Sequence, residues 1–524
     1  MQFEATTNGV QWKEWSKQAF DEAREKGRLV LLDLTASWCH WCHVMDGTTY
    51  ADPVVVKLIN ENFVPIRVDI DRRPDISDRY NRGGFPTTAF LSDMGESIWG
   101  STYIPPGDMM RIIASVLKAK ASGEVDRALE RSRMQFLDIS RAYDQKIEIG
   151  AAALVSFFED VFSTYDVELG GFGIQPKFPQ REVIEILLQR YALDHDPELA
   201  EAVTNTLSRM ADGLYDRVEG GVFRYSVTRD WHTPHYEKML ETNIGFLRNL
   251  VHAYKILGRE RFVELARGTA EYVLRTLRNP RSGAFYGSQD ADEEYYRLHG
   301  DARKRRRRPS VDKTVYAGWN AEASAAMIFA GTLMGEKSWI EAGRTALEYE
   351  LKRLWSPRLE LVRHAENQEV YLFADQVDLL EAILSNLRAS ANKSMMEVAD
   401  SLLTGVEHRF PMVEGAHSDI IRQDDAVGEL ADLRKDLVSN SKWAMNLGLY
   451  SAVAHRPELM DKAMGILRSF TRKEVEGHGL FAASYIKAWW VLEKGPVAVE
   501  VHSPQSDPLR EEMWRAVEEL VDPG

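Results

Sequence analysis

Cys39 and Cys42 are the only two cysteines of the chain, with His40 and Trp41 between them. A C-x-x-C pair that follows a buried strand and opens a helix suits thiol–disulfide exchange. The helix N-terminus offers free N–H groups and partial positive charge. These stabilise a thiolate, the reactive form of cysteine. Cys39 is then the attacking thiol and Cys42 the resolving one. His40 adds positive charge that lowers the thiol pKa further. Asp33 stands six residues before Cys39 on the expected strand, where a buried carboxylate exchanges protons with the resolving thiol. Pro86, in Phe85-Pro86-Thr87, precedes another expected strand. A cis proline there sets a backbone edge beside the cysteines for an extended substrate.

The elements that must position these groups are legible in the hydrophobic pattern. Residues 11–26 read as an amphipathic helix with Trp12, Trp15, Ala19 and Phe20 on its apolar side. Leu29–Leu34 is a short apolar run typical of a buried strand. A helix follows the cysteines to about Asn60, and Phe63–Asp69 is a second strand. Thr87–Leu91 and Glu96–Trp99 pair as a hairpin turning at Asp93-Met94-Gly95. A helix from Gly107 to about Ala119 closes the unit. This order, with the cysteines, Asp33 and Pro86 in place, resembles thioredoxin. Three other readings stay open. Cys39 to His43 also fits C-x-x-C-H, a haem attachment pattern that needs an exported chain. The two cysteines with His40 and His43 have zinc-ligand types at a cramped spacing. The cysteines could also serve structure or binding alone.

A second group of residues lies further on. Trp231, His232, His235, Glu237 and Lys238 fall within eight residues at a loop-to-helix boundary. Asp290 and Asp292 sit in a later loop, Trp319 and Asn320 open one helix and Asp375 opens another. Aromatic rings with carboxylates and imidazoles are what sugar-binding sites use. Two carboxylates serve glycoside hydrolysis, and two histidines serve epimerisation beside a carbonyl. The same residues also have plain structural uses: aspartates as turn or helix caps, Glu237 and Lys238 as a charge pair, Trp231 as core. Arg303–Arg308 reads as a solvated basic loop, or as a contact for an anionic partner or the chain's own acidic surface.

From about residue 147 onward helical patterns repeat roughly a dozen times and strand signals are scarce. Paired helices joined by dissimilar rich loops suit a closed toroid of helical hairpins, with ligands held where the loops converge. Val497–Val501 and Pro508–Val521 read as a terminal strand and helix. The most membrane-like stretch, 317–335, carries Trp319, Asn320 and Glu322 and reads as a core helix. Charged residues make up 28% of the 524 residues, and the net charge of −15 argues against nucleic acid and anionic membranes as partners. The opening Met1-Gln2-Phe3-Glu4 has no signal-peptide pattern, so a cytoplasmic chain is expected. No cofactor or metal is expected, and no pattern specifies an oligomeric state.

Longer motifs carry a family resemblance. They are Trp38-Cys39-His40-Trp41-Cys42-His43-Val44-Met45, Gly170-Gly171-Phe172-Gly173 with Pro176-Lys177-Phe178-Pro179, Gly220–Ser226, Trp231–Leu240 and Gln289–Asp292. Together they resemble the spermatogenesis-associated, thioredoxin-domain-containing protein family. The resemblance implies a thioredoxin-like domain fused to an (α/α)6 toroid, similar to six-hairpin glycosidases and N-acylglucosamine 2-epimerases. Two departures stand out. Glu241-Thr242-Asn243 replaces the family's Tyr-Asp-Asn, and the stretch after Asp292 is short and ends in the basic run.

The expected fold is therefore multidomain, α/β plus all-α. A thioredoxin-like domain spans 1–120, a helical connector 121–146, an (α/α)6 toroid 147–495 and a small α/β appendage 496–524. The first functional expectation is a thiol–disulfide oxidoreductase acting on a thiol or disulfide protein partner, with catalytic Cys39, Cys42, His40, Asp33 and Pro86. The alternatives are a sugar epimerase or glycoside hydrolase with a sugar-like ligand in the toroid, and a non-catalytic interaction protein.

Overall fold

The computed structural model describes residues 9–141, 151–389, 394–423 and 426–497, and single positions 499, 509, 512, 513 and 516. The chain forms two compact units, one of residues 1–145 with 422–433, the other of 146–421 with 434–524. The appendage expected at the C-terminus lies almost wholly outside the described residues.

The first unit is a four-stranded sheet with helices on it. Its elements are α1 (Lys17–Lys26), β1 (Leu29–Thr35), α2 (His40–Gly47), α3 (Pro53–Asn62), β2 (Phe63–Asp69), α4 (Pro74–Tyr80), β3 (Thr87–Leu91), β4 (Ser97–Ser101), α5 (Pro106–Ala121) and α6 (Glu124–Arg141). The strand order is β2-β1-β3-β4, with β1 and β2 parallel and the other pairs antiparallel. β1 and β3 are buried nearly throughout, which explains their unbroken apolar runs. The leading helix is shorter than its pattern. Lys13 is in register with Ile66 on the sheet edge, and the helix starts only at the Ser16 cap. Likewise the helix expected from the cysteines to residue 60 is two helices. Asp52 caps the second one by accepting from Val54 and Val55, and Pro53 takes its first position. Residues 422–433 complete the unit. Arg79 donates to the Glu429 and Asp432 carbonyls, and Tyr80 donates to Gly95.

The second unit is built from α7 (Ala151–Thr164), α8 (Arg181–Asp194), α9 (Pro197–Leu214), α10 (Leu240–Leu257), α11 (Arg261–Thr276), α12 (Glu293–Tyr296), α13 (Gly300–Arg305), α14 (Ala317–Met334), α15 (Lys337–Arg353), α16 (Phe373–Ala389), α17 (Ser394–Arg409), α18 (Leu437–Ala454), α19 (Pro457–Leu467), α20 (Arg472–Gly477) and α21 (Ala483–Lys494). Helices α8, α10, α14, α16, α18 and α21 pack in that order, and α21 returns to α8. They are the inner ring of a closed (α/α)6 toroid. Helices α9, α11, α15, α17, α19 and α7 back them from outside. The membrane-like stretch is α14, buried at thirteen of its positions. Its small residues let α15 and α16 approach closely. No helix among the described residues is long and apolar enough to cross a membrane.

One device recurs at the start of four inner helices. The fourth residue of α10, α14, α16 and α18 is a fully buried amide: Asn243, Asn320, Gln376 and Asn440. Each amide oxygen accepts from a backbone N–H of the preceding hairpin, at Val222, Phe285, Val362 and His417, over 2.8–3.0 Å. In three of the four the amide nitrogen donates back to the same residue's carbonyl. Asn243→Leu keeps the volume but strips the pairing from the Val222 backbone. We expect it to cost about 2–4 kcal/mol, read as a lowered denaturation midpoint with a native circular dichroism spectrum.

Candidate functional site

The sequence fixes Cys39 at the N-cap of α2, and there its Sγ accepts from the Cys42 N–H at 3.2 Å. The two cysteines are joined by a disulfide, and each is nearly buried. Since their sulfurs are bonded to each other, they do not offer two thiolates to a metal in this state. Trp38 is anchored by its Nε1, which donates to Asp71 at 2.6 Å. Phe85 meets the Trp38 ring edge-on at 6.4 Å, which brings the Phe85–Pro86 segment, with its cis bond, to the cysteine loop. His40 and Trp41 are exposed, and Trp41 leans on Tyr103 with ring centres 5.3 Å apart.

Asp33 faces Arg67 and Thr88 in the sheet register and is 1% exposed. Arg67 Nε donates to its Oδ2 at 2.7 Å and Tyr50 OH to its Oδ1 at 3.2 Å. Arg67 also bonds Asp46, and its guanidinium lies over Trp12. Burial pushes the Asp33 carboxyl above its ordinary value, against the pull of Arg67.

The second group is divided by the fold. Trp231 is core: it is 1% exposed, and its Nε1 donates to Leu169 at 3.0 Å. Lys238 is fully buried and locks a loop, donating to Asp216 at 2.7 Å and to the Gly220 carbonyl at 2.8 Å. Lys177 does the same one hairpin earlier, to Asp166 and the Gly170 carbonyl. The motifs around Gly170-Gly171 and Gly220-Gly221 are therefore one repeated loop. At Gly171 and Gly221 φ is +82° and +76°, and an added Cβ would strike Trp231 and Tyr272. Burial pushes the Lys238 ammonium down to about 8, against the pull of Asp216. Arg303 pairs with the same Asp216, Arg306 with Glu294 and Arg308 with Glu219, so the basic run folds onto the chain's own acidic residues.

Of the rest, His235 stacks on Tyr225 at 4.4 Å and stands 3.6 Å from the buried Glu237, whereas His232 is exposed. Asp290 receives the Ser310 hydroxyl, and Asp292 caps α12. Trp319 packs on Tyr316. Asn320 is one of the buried amides. Asp375 accepts from Gly318 N–H at 3.0 Å and pairs with His364 Nδ1 at 3.0 Å.

The axis of the toroid holds a cavity to which all six inner helices contribute. Four cations, Arg181, Arg248, Lys442 and Lys487, line it with four carboxylates, Glu182, Glu185, Glu322 and Glu381. Glu322 takes Arg181 at 2.6 Å and Lys442 at 3.1 Å, and Lys442 also stands 3.6 Å from Asp378. On the facing side Lys487 meets Glu185 at 2.7 Å, while Arg248 bridges Glu185 and Glu381. Against the cost of burial, Arg181 and Lys442 hold Glu322 well below the carboxylate range. Burial pushes Asp378 well above its ordinary value and raises Glu241 from its own. None of these residues was singled out as a ligand contact from sequence. The signal was there in Glu322 and Lys442, the lone charges of two otherwise uncharged helices.

The fold and the two sites define a class, a thioredoxin-like domain joined to a six-hairpin helical toroid. Residues 2–147 match the family described as Thioredox_DsbH, protein of unknown function, DUF255. The chain is 34% identical over 311 residues to spermatogenesis-associated protein 20 of Mus musculus, covering 54% of this chain and 39% of that protein. It thus spans about two fifths of the length of that relative, and the motif resemblance holds. A thioredoxin H-type of Fagopyrum esculentum is 31% identical over 81 residues, 16% of this chain and 66% of that one. The toroid is similar in fold to cellobiose 2-epimerase from Bacillus thermoamylovorans B4167, with a TM-score of 0.51 at 8% identity over 60% of this chain and 84% of that one.

His252, which feels the charges of Glu185, Lys487 and Arg248, carries a pH prediction. His252 is 9% exposed, and burial pushes its imidazole down to about 4, with Glu185 pulling it up and Lys487 and Arg248 pushing it down. The unfolded chain binds this proton near 6.5 and the folded chain only near 4, so stability is lost as pH falls through that window. The wild type should lose about 2 kcal/mol more than His252→Asn between pH 7 and pH 5, measured by urea midpoints at each pH.

Proposed function

We propose that the first unit is a thiol–disulfide oxidoreductase. The observation that carries this is the Cys39–Cys42 disulfide at the start of α2, with Cys39 Sγ already accepting a helix N–H. The dithiol form acts as follows. The Cys39 thiolate attacks a partner disulfide, bonds to one sulfur and expels the other as a thiolate. Cys42 gives its proton to Asp33 and attacks Cys39 Sγ. The partner leaves as a dithiol, and Cys39 and Cys42 end as the disulfide. Two electrons pass from the cysteine pair to the partner. A raised pKa suits Asp33 to accept that proton. The exposed Trp41 and half-buried Tyr103 beside the cysteines offer an apolar docking edge for an extended protein segment.

A second reading concerns the toroid, which we infer holds a sugar-like ligand. Its support is the fold likeness to a cellobiose 2-epimerase together with a charge-lined axial cavity at the start of the inner helices.

The redox reading is tested with the full chain. The wild-type pair should titrate as one two-electron couple between about −120 and −270 mV against glutathione. Cys42→Ser should trap mixed disulfides that dithiothreitol releases, and Cys39→Ser should trap none. A pair that never closes on oxidation, or equal trapping by both variants, would overturn it.

A further inference from the structure

Three charges of the first unit run in a chain from a buried acid to the surface. Asp33 on β1 accepts from Arg67 Nε of β2 at 2.7 Å, and the far end of the same guanidinium donates to Asp46 of α2. The Asp33 side chain is 2% exposed, that of Arg67 8% and that of Asp46 41%. Trp12 and Tyr50 lie against the guanidinium, with ring centres at 4.3 and 5.4 Å. Tyr50 OH donates to Asp33 and meets the Thr88 hydroxyl of β3 at 2.9 Å. Burial holds that phenol well above its ordinary value, so it remains a neutral donor. Asp46 stands in the last turn of α2, which has no basic residue there. A helix C-terminus disfavours a carboxylate, so the helix does not account for Asp46, whereas Arg67 does.

The balance of charge says what Asp46 does. With Asp33 ionised, Arg67 serves two carboxylates. When Asp33 takes a proton, Arg67 keeps its charge. Without Asp46 that state would hold a bare guanidinium in the interior, which is strongly unfavourable. With Asp46 it holds a closed ion pair, Arg67 with Asp46, beside a neutral acid. Burial pushes the Asp33 carboxyl up, Arg67 pulls it down and Asp46 pushes it up. Cys42 and Asp46 are four residues apart on α2 and so share one face of that helix.

We propose that Asp46 is a positioning residue for the resolving step, holding the counter-charge of Arg67 while Asp33 carries the proton of Cys42. This rests on the thiol–disulfide reading above. In that step the Cys42 S–H proton passes to Asp33 and the Cys42 sulfur bonds to Cys39 Sγ. The bond between Cys39 and the partner sulfur breaks, and its electron pair leaves on the partner. Losing Asp46 gives Arg67 wholly to Asp33, and a weaker base takes the Cys42 proton more slowly. The full reduced chain is mixed with glutathione disulfide, quenched in acid at timed intervals and weighed by mass spectrometry across a range of pH. Asp46→Asn should accumulate the Cys39–glutathione adduct, with release slowed about two- to fivefold at neutral pH, the scale of a partly exposed charge pair. Asp46→Glu, which keeps the charge, should recover most of the rate. A second measurement follows the Asp33 carboxyl by carbon NMR in the oxidised chain, with the signal identified by its loss in Asp33→Asn. It should titrate at lower pH in Asp46→Asn than in the wild type. Release at the wild-type rate with an unmoved Asp33 titration in Asp46→Asn would overturn the proposal. So would slowing in both Asp46 variants with that titration unmoved, which marks a purely structural role. If the wild-type adduct itself never resolves, the thiol–disulfide reading falls and takes the proposal with it.

Discussion

Backbone buried at the rich-loop end of the toroid must find hydrogen bonds without water, and much of the second unit follows from that constraint. Long hairpins arrive where inner helices begin. Their carbonyls and N–H groups lie too deep for solvent, so side chains supply the partners. The amides at the fourth position of α10, α14, α16 and α18 do this four times with one geometry. Lys177 and Lys238 do it for the glycine-rich loops, each joining an aspartate to a glycine carbonyl. A buried lysine is costly unless paired, and here Asp166 and Asp216 pair with the two ammonium groups. Arg303 adds a second cation at Asp216, which ties a distant basic segment to the same loop.

The same constraint separates rich-looking residues from functional ones. Trp231, Lys238, Asn320 and Asp292 have the types that bind sugars, yet each has its protein partners. A satisfied side chain has nothing left to offer a ligand. The axial cavity differs in its density of charge. Its ion pairs neutralise one another across the ring, which makes burial of so many charges tolerable. What remains after that pairing is a mixed field of both signs of charge around one cavity. Such a field discriminates by hydrogen-bond geometry more than by net charge.

Legibility in the sequence followed the range of the forces involved. The β1 and β3 runs, the cysteine helix and the helical hairpins were readable because local periodicity and caps determine them. The start of α1 was misjudged because Trp12 and Trp15 fit a helical face, while pairing of Lys13 along the edge of β2 overrides that preference. The break before Asp52-Pro53 is written in residues that cap and start helices, but the apolar pattern runs on across it and masks it. The placement of 422–433 in the first unit depends on contacts between residues some 350 positions apart, which no local pattern encodes. The cavity is hard to read from sequence because its signature is a single charge in each of two otherwise uncharged helices, not a cluster of rich loop residues.

The thiol unit shows the same logic at shorter range. Placing Cys39 at a helix N-cap makes its sulfur the natural acceptor for a free N–H of the first turn, so the residue that caps the helix also lies at its positive end. Asp33 is treated differently. It sits in the sheet with Arg67 directly beside it in register, so its charge is compensated rather than left bare. Burial alone would make it a very weak acid, and a fully paired carboxylate would be a poor proton acceptor. The two effects oppose each other, and burial prevails, so its carboxyl stays above its ordinary value. Arg67 is itself held by Asp46 and by the faces of Trp12 and Tyr50. The proton affinity of Asp33 is thereby set by a clamp that reaches across three elements of the fold.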